Sequence, residues 1–249
     1  MTPLGGPVGG DAPSAGADLG TIARLRPLLA AAGLGLGVAS VAEPGLEPAG
    51  PSEAAAAEGM PARRRLEFLA GRRAARRALR AVGLDCGEIP RAGRLPVFPP
   101  GRAASISHSA GVAVAVAHAA GRDRPVGCDL ELRPLPRRAA RLVLRADEEE
   151  LLVTGSRSVD SAWSVTELFS AKEAAWKALY VAEAGYVSGA GGSDGAAEPG
   201  TLRDLRARPS GDGLRVCRRA HPAHAVQVHV TALGSGVLSY VIGRADARP

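Results

Sequence analysis

Two acids stand two residues apart in the run Val126-Gly127-Cys128-Asp129-Leu130-Glu131-Leu132-Arg133-Pro134. The run has strand composition, and alternate residues of a strand point to one face. Asp129 and Glu131 therefore face the same way, roughly 6.5–7 Å apart at the backbone. Two such carboxylates repel unless a cation lies between them. The spacing suits a hard divalent metal, because Mg²⁺ commonly takes one or two carboxylates plus substrate phosphates and water. It equally describes the polar face of a solvated edge strand, and the spacing alone leaves both readings open.

Glu173 and Lys177, in Phe169-Ser-Ala-Lys172-Glu173-Ala-Ala-Trp176-Lys177-Ala-Leu179, are four residues apart. That places them on one helical face, either as an exposed ion pair or inside a cleft bordered by Phe169 and Trp176. In the cleft, Glu173 would supply a third metal ligand and Lys177 a phosphate clamp. His108 lies between Ser107 and Ser109 at a strand end, where loops beside sheets often carry function. Arg65, Arg72 and Arg76 stack on one face of a helix, with no acid read among them, and invite an anion. Cys217, His221, His224 and His229 have spacing that fits no standard closed zinc module.

These groups need elements to hold them. Residues 1–19 read as a disordered Gly/Pro/Ala tail. A helix over Ile22–Ala32 and a strand over Leu36–Val41 follow, and then a loop from Glu43 to Gly59. A long helix runs from Pro61 to Val82 and stops at Gly83, with Phe68, Ala75, Leu79 and Val82 as its buried stripe. Ala104–Ser107 and Val112–Ala117 read as strands joined by a turn over Ser107–Gly111, and Gly121–Pro125 turns into the Asp-x-Glu strand. Short helices fit Arg137–Leu144 and Asp147–Val153. A second long helix, Ala162–Ala184, starts at Asp160 or Ser161 and ends at Gly185. Gly185–Gly200 is low-complexity, and the chain closes in a hairpin of Val226–Thr231 and Val237–Ile242. The expected fold is α+β in two pseudo-symmetric halves, 20–122 and 123–249. Each half is a small antiparallel sheet with a long helix. No residue-level repeat is read between them.

The 249 residues include enough apolar side chains for a packed core, but aromatics are only 3%, so that core rests on Leu, Val, Ile and Ala. No membrane-spanning run is present. Arg24 and Arg26 precede an apolar stretch, but far from Met1 and followed by Pro27, so an export signal is not expected. Three cysteines without a Cys-x-x-Cys pair fit a reducing cytoplasm. The net charge of +6 favours anionic partners. Nucleic acid is disfavoured by the scarcity of aromatics and the lack of a recognisable binding module.

Four pieces in order resemble the 4'-phosphopantetheinyl transferases of the surfactin- and enterobactin-synthetase type. They are Arg64-x-x-Glu67-Phe68-x-x-Gly71-Arg72-x-x-Ala75-Arg76-x-Ala78-Leu79, Ser105-Ile106-Ser107-His108-Ser109, Gly127-Cys-Asp129-Leu-Glu131 and Phe169-Ser-Ala-Lys172-Glu173-x-x-x-Lys177-Ala178. The resemblance implies an active site in the cleft between two α+β halves. It implies coenzyme A as donor, Mg²⁺ or Mn²⁺ as cofactor, and as acceptor a serine on an acidic carrier-protein domain of a fatty-acid, polyketide or nonribosomal-peptide synthase. By position it implies Asp129, Glu131 and Glu173 as metal ligands. Arg64, Arg72, Arg76, Arg94, Ser107 and His108 would contact coenzyme A. Lys177 would sit at its pyrophosphate, and Glu173 would take the serine proton. A cytoplasmic monomer is expected. A non-catalytic binder of coenzyme A or carrier on the same fold is the alternative. The family often has Trp where Phe169 stands.

Overall fold

The computed structural model describes residues 15–119, 125–153, 162–181, 200–234 and 236–244. Along the chain come α1 (Ala15–Ala23), α2 (Arg26–Ala31), β1 (Leu34–Ser40), α3 (Pro51–Ala57) and α4 (Ala62–Ala81). A small hairpin of β2 (Arg91–Ala92) and β3 (Leu95–Pro96) follows, then β4 (Ala104–Ser109), β5 (Val112–His118) and β6 (Cys128–Glu131). After them come α5 (Ala140–Val143), α6 (Val165–Trp176), β7 (Leu205–Ser210), β8 (Gly213–Arg218), β9 (Ala225–Leu233) and β10 (Gly236–Arg244). The strands form two antiparallel sheets besides the β2–β3 hairpin, in the orders β1-β5-β4 and β6-β10-β9-β8-β7. The fold is α+β, as expected.

The two long helices sit where their signals placed them, with sharper ends. Gly83 closes α4 with a left-handed φ of 77°, and the Leu84 amide reaches back to the Leu79 carbonyl. The α6 helix begins later than expected, because Ser164 and Glu167 form a capping box: the Glu167 amide donates to Ser164 Oγ and the Ser164 amide to Glu167 Oε2. Beyond Trp176 the helix widens into a π-helical turn over Lys177–Val181. Asp160, Ser161 and Gly185 lie outside the described residues, as do the 121–124 turn, Ser235 and most of the Gly-rich stretch.

Other expectations need correction. The Ile22–Ala32 helix is two helices, because Pro27 restarts the chain as the first turn of α2. Residues 15–19, assigned to the tail, belong to α1. The Glu43–Gly59 loop contains α3, whose Glu53 is fully buried. β4 continues through His108 to Ser109, so only Ala110 and Gly111 turn. Strands β7 and β8 were not anticipated.

One plan is used twice. In β1–α4–β4–β5 and in β6–α6–β9–β10, the last strand pairs with both the first strand and the third. A short correspondence of residues, not read from the sequence alone, accompanies it. Ala74, Ala75, Ala78 and Leu79 of α4 recur as Ala174, Ala175, Ala178 and Leu179, and Glu67 recurs as Glu167. Small residues are needed because strand and helix touch. A methyl group on Gly37 would strike the Ala74 carbonyl oxygen, and one on Gly127 the Ala174 carbonyl oxygen. Arg77 donates to the Val38 carbonyl at 2.6 Å, and its counterpart Lys177 donates to the Cys128 carbonyl at 3.0 Å.

Between the halves, Leu36, Val38, Val114 and Val116 of the first sheet pack with Cys128, Leu130, Leu238 and Tyr240 of the second. α4 covers the other face of the first sheet through Ala39, Ala113 and Ala115, and α6 covers the second through Val226, Val228 and Val241.

Candidate active site

The edge strands β4 and β6 meet along the seam of the two halves, and serine side chains join them. Alternation puts Ser105, Ser107 and Ser109 on one face of β4. The Cys128 amide donates to Ser105 Oγ at 2.9 Å, and the Leu132 amide to Ser109 Oγ at 3.1 Å. Between them Ser107 Oγ donates to Asp129 Oδ1 at 2.8 Å, with both residues buried. Ser107 therefore holds a carboxylate of the other half. Its opposite neighbours, Ile106 and His108, point away from the seam toward Gly71 and Arg64.

The third element is α6. Lys177 Nζ donates to Asp129 Oδ1 at 2.8 Å, and Ser170 Oγ to the Asp129 carbonyl. Asp129 Oδ2 is buried and accepts no hydrogen bond among the described residues. Glu131 and Glu173, half-buried, complete the acidic group. Burial, followed by the field of Asp129, pushes the Glu131 carboxyl up to about 7; Glu173 adds to the rise and Lys177 opposes it. Burial likewise raises Glu173, and Asp129 raises it further against the pull of Lys177. Burial, the largest single influence, would lower Lys177, but Asp129 together with its other neighbours, Glu173 among them, raises it above the ordinary value and keeps the ammonium charged.

The structure thus brings Asp129, Glu131, Glu173 and Lys177 into one electrostatic group. It does not draw the carboxylates into a closed cage: among the described residues no three His, Cys, Asp or Glu converge closely enough to hold a metal ion. The donor set nevertheless fits a hard divalent cation. Three all-oxygen ligands repel one another, and one buried carboxylate oxygen lacks a partner.

Sequence reasoning missed what lies behind α6. Lys172 is fully buried, and Nζ donates to the Val143 carbonyl and Glu148 Oε2 at 2.8 Å and to the Leu205 carbonyl at 3.2 Å. Glu148, also buried, accepts from the Ala207 amide and from Arg219. This ion pair ties α6 to α5 and β7 and fixes which way Glu173, the next residue, faces. The visible signal was a lysine inside an Ala-rich helix, between Ala171 and Glu173.

Toward the first half, His108 and Arg64 are exposed neighbours, with Arg64 Nη1 donating to His108 Nε2 at 2.8 Å. Although part of the His108 side chain is open to solvent, partial desolvation of the ring lowers its pKa; Glu67 opposes that, and Arg64 and Lys177 lower it further. A shift below the ordinary 6.5 favours the neutral ring at pH 7, which an acceptor at Nε2 requires. Arg72 and Arg76 are not a free basic stripe. Arg72 is buried, donates to the carbonyls of Ile89 and Pro90, and lies over the Phe68 ring at 4.5 Å. Its desolvation brings it down to about 10. Arg76 pairs with Glu53, which also accepts the Ile89 amide. The acid missing from the expected stripe comes from α3. Only Arg65 is exposed on that face, and Arg94 is exposed in the β2–β3 turn. His229 stacks on Tyr240 and pairs with Asp212.

The N-terminal domain model of the 4'-phosphopantetheinyl transferases matches residues 52–118, and that of the 4'-phosphopantetheinyl transferase superfamily matches residues 125–192. Together they cover more than half the chain. Enterobactin synthase component D of Salmonella typhi is 40% identical over 122 residues, which is 47% of this chain and 49% of that protein. The chain thus aligns with about half the length of this curated relative.

Proposed function

The chain belongs to the 4'-phosphopantetheinyl transferase superfamily, and from that premise we propose that it moves the 4'-phosphopantetheine arm of coenzyme A onto a serine of an apo carrier protein. The observation that carries this reading is Asp129. It is buried on the seam, held through Oδ1 by Ser107 of one half and Lys177 of the other, with Oδ2 free for a cation.

In the reaction, the serine Oγ attacks the phosphorus bearing the pantetheine. The bond from that phosphorus to the bridging oxygen breaks, and 3',5'-ADP leaves with the electron pair. Glu173 takes the serine proton; its raised pKa brings its basicity closer to neutrality. A Mg²⁺ or Mn²⁺ ion held by Asp129, Glu131 and Glu173 would neutralise charge on the pyrophosphate. Lys177 supplies a fixed positive charge beside the leaving oxygens and needs no rearrangement to do so.

His108 and Arg64, exposed together, offer neutral and charged donors to the 3'-phosphate once their mutual bond is exchanged for the ligand. His108 has its second ring nitrogen to donate, and Arg64 its forked guanidinium. Arg72 and Arg76 act from behind, holding Ile89 and Pro90 against α4. Arg94 and Arg65 extend the basic rim. The net charge of +6 favours encounter with an acidic carrier domain. Both halves of the seam come from one chain, which supports action as a monomer. Free Cys86, Cys128 and Cys217 fit a reducing compartment.

The test is to incubate the protein with coenzyme A, Mg²⁺ and a panel of apo carriers, then weigh the carriers. The reading predicts a mass gain of one phosphopantetheine arm, lost in Asp129→Ala. Coenzyme A binding without mass gain on any carrier would refute it.

A further inference from the structure

The far edge of the second sheet carries charge that the seam does not use. Along β7 and β8, Leu205, Ala207, Leu214 and Val216 face α6, so Arg206, Arg208, Arg215 and Cys217 line the opposite face. With Arg219 and Pro222 they surround a cavity of about 220 Å³. Strand order separates it from β6 by β9 and β10.

Acids neutralise only one end of this group. Asp147 pairs with Arg206 and Arg219, and buried Glu148 with Arg219 and Lys172. Arg208 and Arg215 have no carboxylate partner among the described residues. They are nevertheless direct cross-strand partners in the β7–β8 register. Like charges placed opposite each other destabilise a hairpin. Arg215 Nη2 donates to the Pro222 carbonyl at 3.2 Å, which brings the 219–224 loop over the cavity. Its Nε is buried and has no acceptor among the described residues. A buried donor left unsatisfied is costly, and an arginine edge of Nε and Nη matches two oxygens of one oxyanion.

We propose that this face is a second anion site, independent of the transfer reading, which takes a phosphate-class oxyanion between Arg208 and Arg215. The bound group removes the repulsion across the hairpin and supplies the acceptor that Arg215 Nε lacks. Arginine rather than lysine at both positions fits forked recognition of a small oxyanion.

Thermal unfolding of the full chain tests this in sodium phosphate, phenyl phosphate and sodium chloride at matched ionic strength. At four times its dissociation constant, phosphate should raise the Tm by about 2–4 °C over chloride. A larger rise with phenyl phosphate would assign the site to an esterified ligand, and an equal one to the phosphate group itself. Arg208→Ala, an exposed position, and Arg215→Lys, which keeps the charge but not the fork, should each lose most of the rise. An Arg64→Ala/His108→Ala variant should keep it. The proposal is overturned if chloride stabilises equally, or if both arginine variants retain the full rise. It is also overturned if the rise is lost only in the Arg64/His108 variant, which would put the phosphate at the seam. Stabilisation by an oligoglutamate peptide but not by phosphate would make the face a docking surface for an acidic protein instead.

Discussion

Replacing Ser107 by alanine separates two roles that the sequence alone does not distinguish. If Ser107 positions Asp129, the substitution removes a 2.8 Å hydrogen bond between two buried residues. Hydrogen bonds to charged groups contribute about 1.5–3 kcal/mol. Asp129 Oδ1 keeps Lys177, so the lower end applies, about 1.5 kcal/mol, which is on the order of tenfold in an equilibrium constant. That falls at the bottom of the 10- to 100-fold range typical of groups that orient metal ligands. Calorimetric titration of Mn²⁺ into the protein saturated with coenzyme A should show about tenfold weaker metal binding in Ser107→Ala. The KM for coenzyme A at saturating metal should stay within about twofold, and Ser107→Thr, which keeps the hydroxyl, should recover most of the loss. Unchanged Mn²⁺ affinity with a tenfold higher KM for coenzyme A would refute the positioning role and make Ser107 a donor contact.

Lys172→Ala should destabilise the chain by about 3–5 kcal/mol in urea unfolding, because it leaves Glu148 buried with only Arg219 as a cation partner among the described residues; a loss below about 1 kcal/mol would show that the pair is dispensable. Gly127→Ala should cost at least about 1–3 kcal/mol, since the added methyl meets the Ala174 backbone rather than a yielding side chain, and Gly45→Ala, where the methyl finds open space but a left-handed backbone, should cost less. Glu43 governs part of the acid limb of stability. Burial alone would raise its pKa, but hydrogen bonds from Arg77, the Ser40 amide and Arg73 hold it below the ordinary 4.5. Its contribution is therefore complete above pH 4.5 and is lost as pH falls through the folded value. Glu43→Gln should flatten the pH dependence of the urea midpoint as pH falls below about 4.5; an unchanged slope would exclude Glu43 as its source.

The elements that local chemistry specifies were legible in the sequence. α4 shows Gly83 as its stop, β5 shows alternating valines, and the Asp129–Glu131 strand shows its turn-bounded composition. Features that depend on distant partners were not. α3 hides in an Ala/Glu/Pro stretch because its anchor, Glu53, is meaningful only once Arg76 and Ile89 meet it. Ser107–Ser109 reads as a turn in isolation, and its strand character comes from pairing with β5 and from the seam with β6. Two signals were present but overlooked. The box Ser164-x-x-Glu167 marks the start of α6, and arginines alternate with Leu205, Ala207, Leu214 and Val216 along β7 and β8. The repeat between α4 and α6 rests on four small or apolar positions and a glutamate, too few to notice until two helices cross two glycine strands in the same way. The group of Asp129, Glu131, Glu173 and Lys177 was legible as residues. Its support, Ser107 on one side and Lys172–Glu148 on the other, was not.

The most direct test of the central claim is the mass of an apo carrier protein after incubation with this chain, coenzyme A and Mg²⁺. The account predicts a carrier heavier by one phosphopantetheine arm, with 3',5'-ADP released in equal amount and both products absent in Asp129→Ala. Coenzyme A binding with no change in carrier mass across the panel, or full transfer by Asp129→Ala, would contradict it.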